Sequence, residues 1–152
     1  MHSTISNTLA LLAIVGGVAA AAEMLPAKAL PLSTILTGLE KAGLTMIVDA
    51  NFDDGVWEVE GMRGNRAVEV HVDPLSGKIL TEQPEHISSV PGAQAKTAAA
   101  IAKQLEDAGY APILELDWER TYWEVEAISA QGHRKLHVDA NSGKILSDRA
   151  DD

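Results

Sequence analysis

The sequence predicts an α+β fold made of two repeats, each a helix packed on a small antiparallel sheet in the order α-β-β-β with a short final strand. The phrase Trp-Glu-Val-Glu occurs at 57–60 and again at 123–126. At this offset of 66 residues, 18 of the 46 positions from Ile35 to Leu80 are identical to their partners. Two copies at so long a period indicate a duplicated small domain. In both copies the apolar period changes from 3.6 to 2 after a glycine, which indicates a helix followed by strands.

The N-terminal segment predicts a signal peptide over residues 1–22. Thr8 to Ala22 is a run of apolar or small residues, ending at the small-residue site Ala20-Ala21-Ala22. The run is shorter than the roughly 20 apolar residues that a membrane span requires, although the first seven residues lack the usual Lys or Arg. We therefore expect a periplasmic or secreted bacterial protein, with no membrane attachment after cleavage. The alternatives are an uncleaved membrane anchor and a buried helix.

Charge and cysteine content narrow the classes of partner. The chain has no cysteine and a net charge of −10, and all of its charged residues follow residue 22. A cysteine-free exported protein fits a bacterial periplasm or outer surface. The acidic balance argues against nucleic acid and anionic membranes, which select basic patches. It favours cationic partners or metal ions, although acid content also serves simply to keep a protein soluble.

Breaker residues set the expected boundaries. We place repeat 1 at 28–81, a linker at 82–93 and repeat 2 at 94–148, because Pro84 and Pro91 interrupt an aperiodic stretch. Residues 23–31 are expected to form a disordered leader.

Each predicted helix has an apolar stripe and a terminal glycine. The first begins near Ser33 as N-cap and ends at Gly43, and the second ends at Gly109. The stripes consist of Ile35, Leu36, Leu39 and Ala42 in the first copy, and of Ala98, Ile101, Ala102, Leu105 and Ala108 in the second.

Alternation then assigns strands and their faces. We expect strands near 45–51, 55–62, 66–73 and 78–81, and near 111–117, 121–128, 134–139 and 144–147. The residues expected to face the helices are Trp57, Val59, Val68, Val70, Val72, Trp123, Val125, Leu136 and Val138. Those expected on the outer face are Glu58, Glu60, Glu69, His71, Asp73, Glu124, Glu126, Lys135, His137 and Asp139.

The second copy contains Glu115-Leu116-Asp117, the run Tyr-Trp-Glu-Val at 122–125, and Val138-Asp139 followed by Ser-Gly-Lys at 142–144. These motifs in this order closely resemble the PepSY domain, here in tandem, and the second copy matches it best. The resemblance covers nearly all of 28–81 and 94–147, and the first copy departs from it at 54–56. The resemblance implies a helix on an antiparallel sheet and an exported or membrane-associated setting. It also implies the inhibitory or peptidase-regulating role proposed for these modules, which occur in propeptides of thermolysin-like metallopeptidases. It supplies no catalytic residue.

The outer face offers a metal-binding alternative. A histidine and a carboxylate two residues apart on a strand share one face, and glutamates on the neighbouring strand lie beside them. The candidate ligands are Glu58, Glu60, His71 and Asp73 in repeat 1 and Glu124, Glu126, His137 and Asp139 in repeat 2. The competing interpretation is that Asp73 and Asp139 cap turns and that the other residues form a solvated face.

Other motifs favour a protein without enzymatic activity. The run from Asp49 to Glu60 imitates a calcium loop, but Asp54 stands where glycine is required, so we interpret it as a hairpin. No cysteine, serine-nucleophile motif or HExxH motif is present, and we expect no enzyme and no cofactor. Trp118 and Tyr122 flank a predicted loop and are our candidates for exposed contacts with a partner. We predict an exported non-enzymatic module that binds a protein or peptide, such as a peptidase.

Overall fold

The computed structural model describes residues 23–151, so the predicted signal peptide lies outside the described residues. The helices are α1 (Leu32–Lys41) and α2 (Ala98–Asp107). The strands are β1 (Leu44–Asp53), β2 (Val56–Arg63), β3 (Arg66–Val72), β4 (Ile79–Pro84), β5 (Ile113–Trp118), β6 (Tyr122–Ser129), β7 (Gly132–Asp139) and β8 (Ile145–Ala150). The predicted α+β class is confirmed.

The two repeats share one antiparallel sheet. Its eight strands lie in the order β4-β3-β2-β1-β5-β6-β7-β8, so each repeat contributes one half. Strands β1 and β5 join the halves through three residue pairs, which are Asp49 with Asp117, Ala50 with Leu116 and Asn51 with Glu115. We refer to this pairing as the seam.

Both helices lie on one face of the sheet and pack against each other over the seam. The buried apolar side chains of both repeats form a single cluster. Trp57 and Trp123 are the largest fully buried side chains, each with an exposed fraction of 0%. Neither half has a core of its own, which fits the marginal stability expected of units of about 60 residues.

The predicted inward residues are all buried, as alternation requires. They are Trp57, Val59, Val68, Val70, Val72, Trp123, Val125, Leu136 and Val138. The strand phase was therefore predicted correctly in both repeats.

The predicted start of α1 is wrong. Pro31, not Ser33, is the residue at the N-cap, and Ser33 is buried in the first turn. Its backbone N–H donates to Glu106 Oε1 of α2 at 3.0 Å, and its hydroxyl donates to the other carboxylate oxygen. A free N–H at a helix N-terminus needs an acceptor, and the partner helix supplies it. Helix α2 instead has a side-chain N-cap: the Thr97 hydroxyl oxygen accepts from the Ala100 N–H at 3.2 Å.

The leader and linker also differ from expectation. Leu25 and Leu30 pack against the core, and the Leu30 N–H donates to the Pro74 carbonyl at 2.8 Å, so the leader is attached to the fold. Strand β4 continues to Pro84, three residues into the predicted linker. The linker then passes over the helix-free face of the sheet, where Ser89 Oγ accepts from Trp118 Nε1 at 3.3 Å.

In the part of the chain that the structure describes, neither helix has the length and apolar character needed to span a membrane.

Truncating a buried tryptophan tests the strand phase. We expect Trp123→Ala to lower the free energy of unfolding by about 3–5 kcal/mol, because a large cavity replaces a fully buried ring. The matched apolar control is Leu146→Ala on edge strand β8, where the leucine is 59% exposed and the cost should stay within about 0.5 kcal/mol. Urea denaturation of both variants provides the measurement. Equal costs would contradict the burial of Trp123 and with it the assigned strand phase.

Candidate functional site

The helix-free face of the sheet carries two rows of polar side chains that cross six strands. Within each row, strand register places each residue opposite the next one on the neighbouring strand. The first row is Glu69, Glu60, Asp49, Asp117, Glu124 and His137, and the second is His71, Glu58, Asn51, Glu115, Glu126 and Lys135. A residue of one row lies 66 positions from its counterpart in the other, so the duplication generates an approximate two-fold axis at the seam. We refer to these rows together as the acidic face.

In repeat 2 a lysine lies between two glutamates of this face. Lys135 Nζ is 3.0 Å from Glu124 Oε1 and 2.9 Å from Glu126 Oε1. His137 Nε2 is 3.0 Å from the second oxygen of Glu124. The hydrogen bonds to Glu126 and Glu124 raise the pKa of Lys135, and the bond from Lys135 is the main cause of the lowered pKa of Glu124. Repeat 2 thus pairs Glu124 and Glu126 with a cation of its own.

In repeat 1 the equivalent of Lys135 is Glu69. Glu69 Oε1 accepts from Gln83 Nε2 at 2.6 Å and lies 3.0 Å from His71 Nε2. His71 Nε2 is also 3.6 Å from Glu58 Oε1. Among residues 23–151, His71 is the only salt-bridge partner of Glu58 and Glu69. Each half of the face therefore holds four carboxyl groups, but only repeat 2 also holds an ammonium group.

The carboxyl groups at and beside the seam have raised pKa values. Burial, followed by repulsion from Asp117, Glu60 and Glu115, raises the pKa of Asp49 to about 8. Burial is also the first cause of the raised pKa values of Glu60, Glu115 and Asp117. Neighbouring strands place these carboxyl groups together, and like charges disfavour one another's ionised forms.

A cavity of about 410 Å³ opens over these groups. Its floor is formed by Asp49, Glu60, Glu115 and Asp117, and its rim by linker residues 86–89 and by residues 118–120. The linker therefore turns part of a flat sheet face into a recess lined mainly by polar atoms.

The predicted contact residues both lie beside this face, and both are half-buried instead of exposed. The Trp118 ring lies at the cavity rim, 5.2 Å from the Trp123 ring between centroids, and is held by its bond to Ser89. The Tyr122 ring lies 4.7 Å from the His137 ring, so it covers an end of the first row.

The predicted metal quartets are only partly brought together. His71 lies beside Glu58, and His137 beside Glu124. Asp73 and Asp139 are turned toward their own turns: Ser76 N–H donates to Asp73 Oδ2 at 3.0 Å, and Ser142 N–H to Asp139 Oδ2 at 3.1 Å. The Ser76 hydroxyl is the first cause of the lowered pKa of Asp73, and the Ser142 backbone N–H that of Asp139. These aspartates cap turns.

Among the described residues, three other groups have metal-ligand spacing, and one of them consists of Glu23, Asp53 and Asp54. The remaining two lie at related places in the two repeats. They are Glu60, Glu69 and Glu85 in repeat 1, and Glu126, His133 and Asp151 in repeat 2. Only Glu60 and Glu126 belong to the predicted quartets.

Asp49, Glu115 and Asp117 were not predicted as site residues. Their alternation with Ala50 and Leu116 was a usable signal for the outer face. The pairing of β1 with β5 could not be predicted from the sequence, because alternation shows which face of the sheet a side chain lies on but not which strand is adjacent.

Comparison with known proteins places both halves in one family. Two related models, each described as "Peptidase propeptide and YPEB domain", match residues 6–83 and 90–149. No curated protein matches the chain. A crystal structure of a "putative lipoprotein" from Clostridium difficile 630 aligns with a TM-score of 0.42 and 16% identity, over 82% of this chain and 95% of that one.

The raised pKa of Asp49 predicts that the protein loses stability as pH rises. The group binds its proton more tightly in the folded state, so the stability it contributes is full below about pH 4 and is lost as pH rises toward 8. Between pH 5 and 8 we expect the free energy of unfolding to fall by about 2 kcal/mol, discounted for solvent screening.

Urea denaturation across this pH range measures the free energy of unfolding. Asp49→Asn should flatten the profile and be the more stable protein at pH 8, whereas Asp107→Asn on α2 should leave it unchanged. Parallel profiles for wild type and Asp49→Asn would show that Asp49 ionises normally.

Proposed function

The chain belongs to the PepSY family through both of its repeats, and on this premise we propose that it is an exported, non-enzymatic module that binds a protein or peptide. The family description joins this domain to peptidase propeptides, so a peptidase is the partner that we propose. The protein would then act as an inhibitor or regulator of that peptidase.

One observation supports binding more than any other. The joined sheet keeps both helices on one face and leaves the other with a polar recess beside a half-buried tryptophan. Carboxyl groups in that recess carry raised pKa values because burial and mutual repulsion disfavour their charge. A fold selected for stability alone would gain by replacing such groups, and local conflicts of this kind are typical of functional surfaces.

Recognition would use the aromatic side chains at the edge of the recess. Trp118 and Tyr122 offer large rigid surfaces at low entropic cost, and residues of this kind dominate protein interfaces. Each is already held in place, Trp118 by Ser89 and Trp123, and Tyr122 by His137. Little ordering would be required when a partner binds.

A divalent metal ion is the alternative ligand of the same face. The group of Glu126, His133 and Asp151 favours it, because it combines an imidazole with two carboxylates within 4.8 Å. A second such group, all carboxylate, lies in repeat 1.

The binding proposal predicts inhibition of a peptidase through the aromatic edge. The exported protein, titrated into a thermolysin-like metallopeptidase of the same organism, should inhibit it. The double change Trp118→Ala and Tyr122→Ala should weaken inhibition tenfold or more, equivalent to about 1.4 kcal/mol. Leu80→Ala on edge strand β4, an exposed apolar truncation, should have no effect, and urea denaturation confirms that each variant is folded.

Two outcomes separate the alternatives. The binding proposal fails if the protein neither inhibits the peptidase nor retains any protein from the envelope fraction. Calorimetric titration with zinc and calcium addresses the metal ion: binding tighter than millimolar that is lost in His133→Ala would support it, and no binding would remove it.

A further inference from the structure

We propose that the acidic face of repeat 1 and the recess at the seam bind a lysine or arginine side chain of the partner. The partner is thus a basic segment of a protein or peptide. This inference rests on the proposed binding function and names the chemistry that the site recognises.

Repeat 2 already shows this face binding an ammonium group. Lys135 Nζ lies within 3.0 Å of an oxygen of both Glu124 and Glu126, on neighbouring positions of one strand face. Charge-assisted bonds of this length are the strong ones. Two glutamates at this spacing on the sheet therefore form a receptor for one cation.

Repeat 1 has the same receptor without the cation. Glu58 and Glu60 are the counterparts of Glu124 and Glu126, and strand register places Glu69 where repeat 2 has Lys135. Replacing an ammonium by a carboxylate removes one positive charge and adds one negative charge at the same place. His71 is the one basic side chain paired with Glu58 and Glu69 among residues 23–151. A cation from outside would therefore complete the half-site formed by Glu58, Glu60 and Glu69.

The recess extends this half-site toward the seam. Glu60 belongs both to this half-site and to the floor of the recess, where Asp49, Glu115 and Asp117 add further carboxyl groups. The Trp118 ring at the rim offers a surface for a guanidinium or ammonium group, which an aromatic face attracts. Burial and then repulsion from neighbouring carboxyl groups raise the pKa of Asp49 to about 8, and a cation entering here would relieve the repulsion.

The chain's own basic side chains near the rim leave the site open. Arg120 and His86 line the recess, but within the described part of the chain neither lies within 4.0 Å of a carboxylate oxygen. Arg120 is exposed and lies in the loop before β6. The net charge of −10 makes a second copy of this chain a poor source of the cation, which favours a basic partner of another kind.

Exchanging one residue between the repeats tests the inference. Oligolysine is titrated into the full exported protein at low ionic strength with a metal chelator present. Tryptophan fluorescence or calorimetry detects binding, and oligoglutamate serves as the peptide control.

Glu69→Lys gives repeat 1 the residue that repeat 2 has, so a lysine of the chain itself occupies the receptor. We expect it to weaken oligolysine binding tenfold or more. The milder Glu69→Gln should weaken binding less and guards against misfolding of the lysine variant.

The matched control is Asp107→Lys, which makes the same change of charge on the helix side of the protein, at a largely exposed position. It should weaken oligolysine binding less than twofold. Equal losses in Glu69→Lys and Asp107→Lys would show that only net charge attracts the peptide and would overturn the inference, as would wild-type protein that does not bind oligolysine. If a natural partner is retained equally by wild type and Glu69→Lys, the proposed binding function stands and this inference falls.

Discussion

Strands β1 and β5 meet over three residue pairs, and this short seam determines both the stability and the surface chemistry of the protein. Without it, each repeat would be a four-stranded sheet with one helix, a unit too small to bury a sufficient core. With it, two edge strands become central strands. The helices can then lie side by side over the seam, and the apolar side chains of both repeats form one cluster.

The seam also has an electrostatic cost. Side chains alternate between the two faces along a strand. Ala50 and Leu116 are buried beneath the helices, so Asp49 and Asp117 lie opposite each other on the other face. Burial then raises the pKa of Asp49 to about 8. The two repeats differ in the residue that lies beside the glutamates of the acidic face. Repeat 2 has Lys135 at this position, whereas repeat 1 has Glu69. Duplication produced a symmetric scaffold, and substitutions at this pair of positions and at the pair Asn51 and Asp117 made its surface asymmetric.

Much of the fold followed from local patterns in the sequence. Apolar periodicity identified both helices, and alternation identified the strands and the side chains beneath the helices, including Trp57 and Trp123. Expectations failed where a distant partner decides the structure. Ser33 looks like an N-cap because of its residue type, yet Glu106 from the other repeat binds it inside the helix. The outer face was predicted correctly for Glu58 and Glu124, but the perturbed group at its centre was not, because a repeat considered alone gives no sign of the neighbour of Asp49.

Native-state hydrogen exchange at the seam tests most directly whether the two repeats form one structural unit. If they do, the backbone amides of residues 49–51 and 115–117 should exchange only through global unfolding, with the same free energy as amides in the central strands β2 and β6. Edge strands β4 and β8 should exchange at lower free energy. If the amides of β5 exchange as readily as those of β8, the seam opens on its own and the two repeats are separate units.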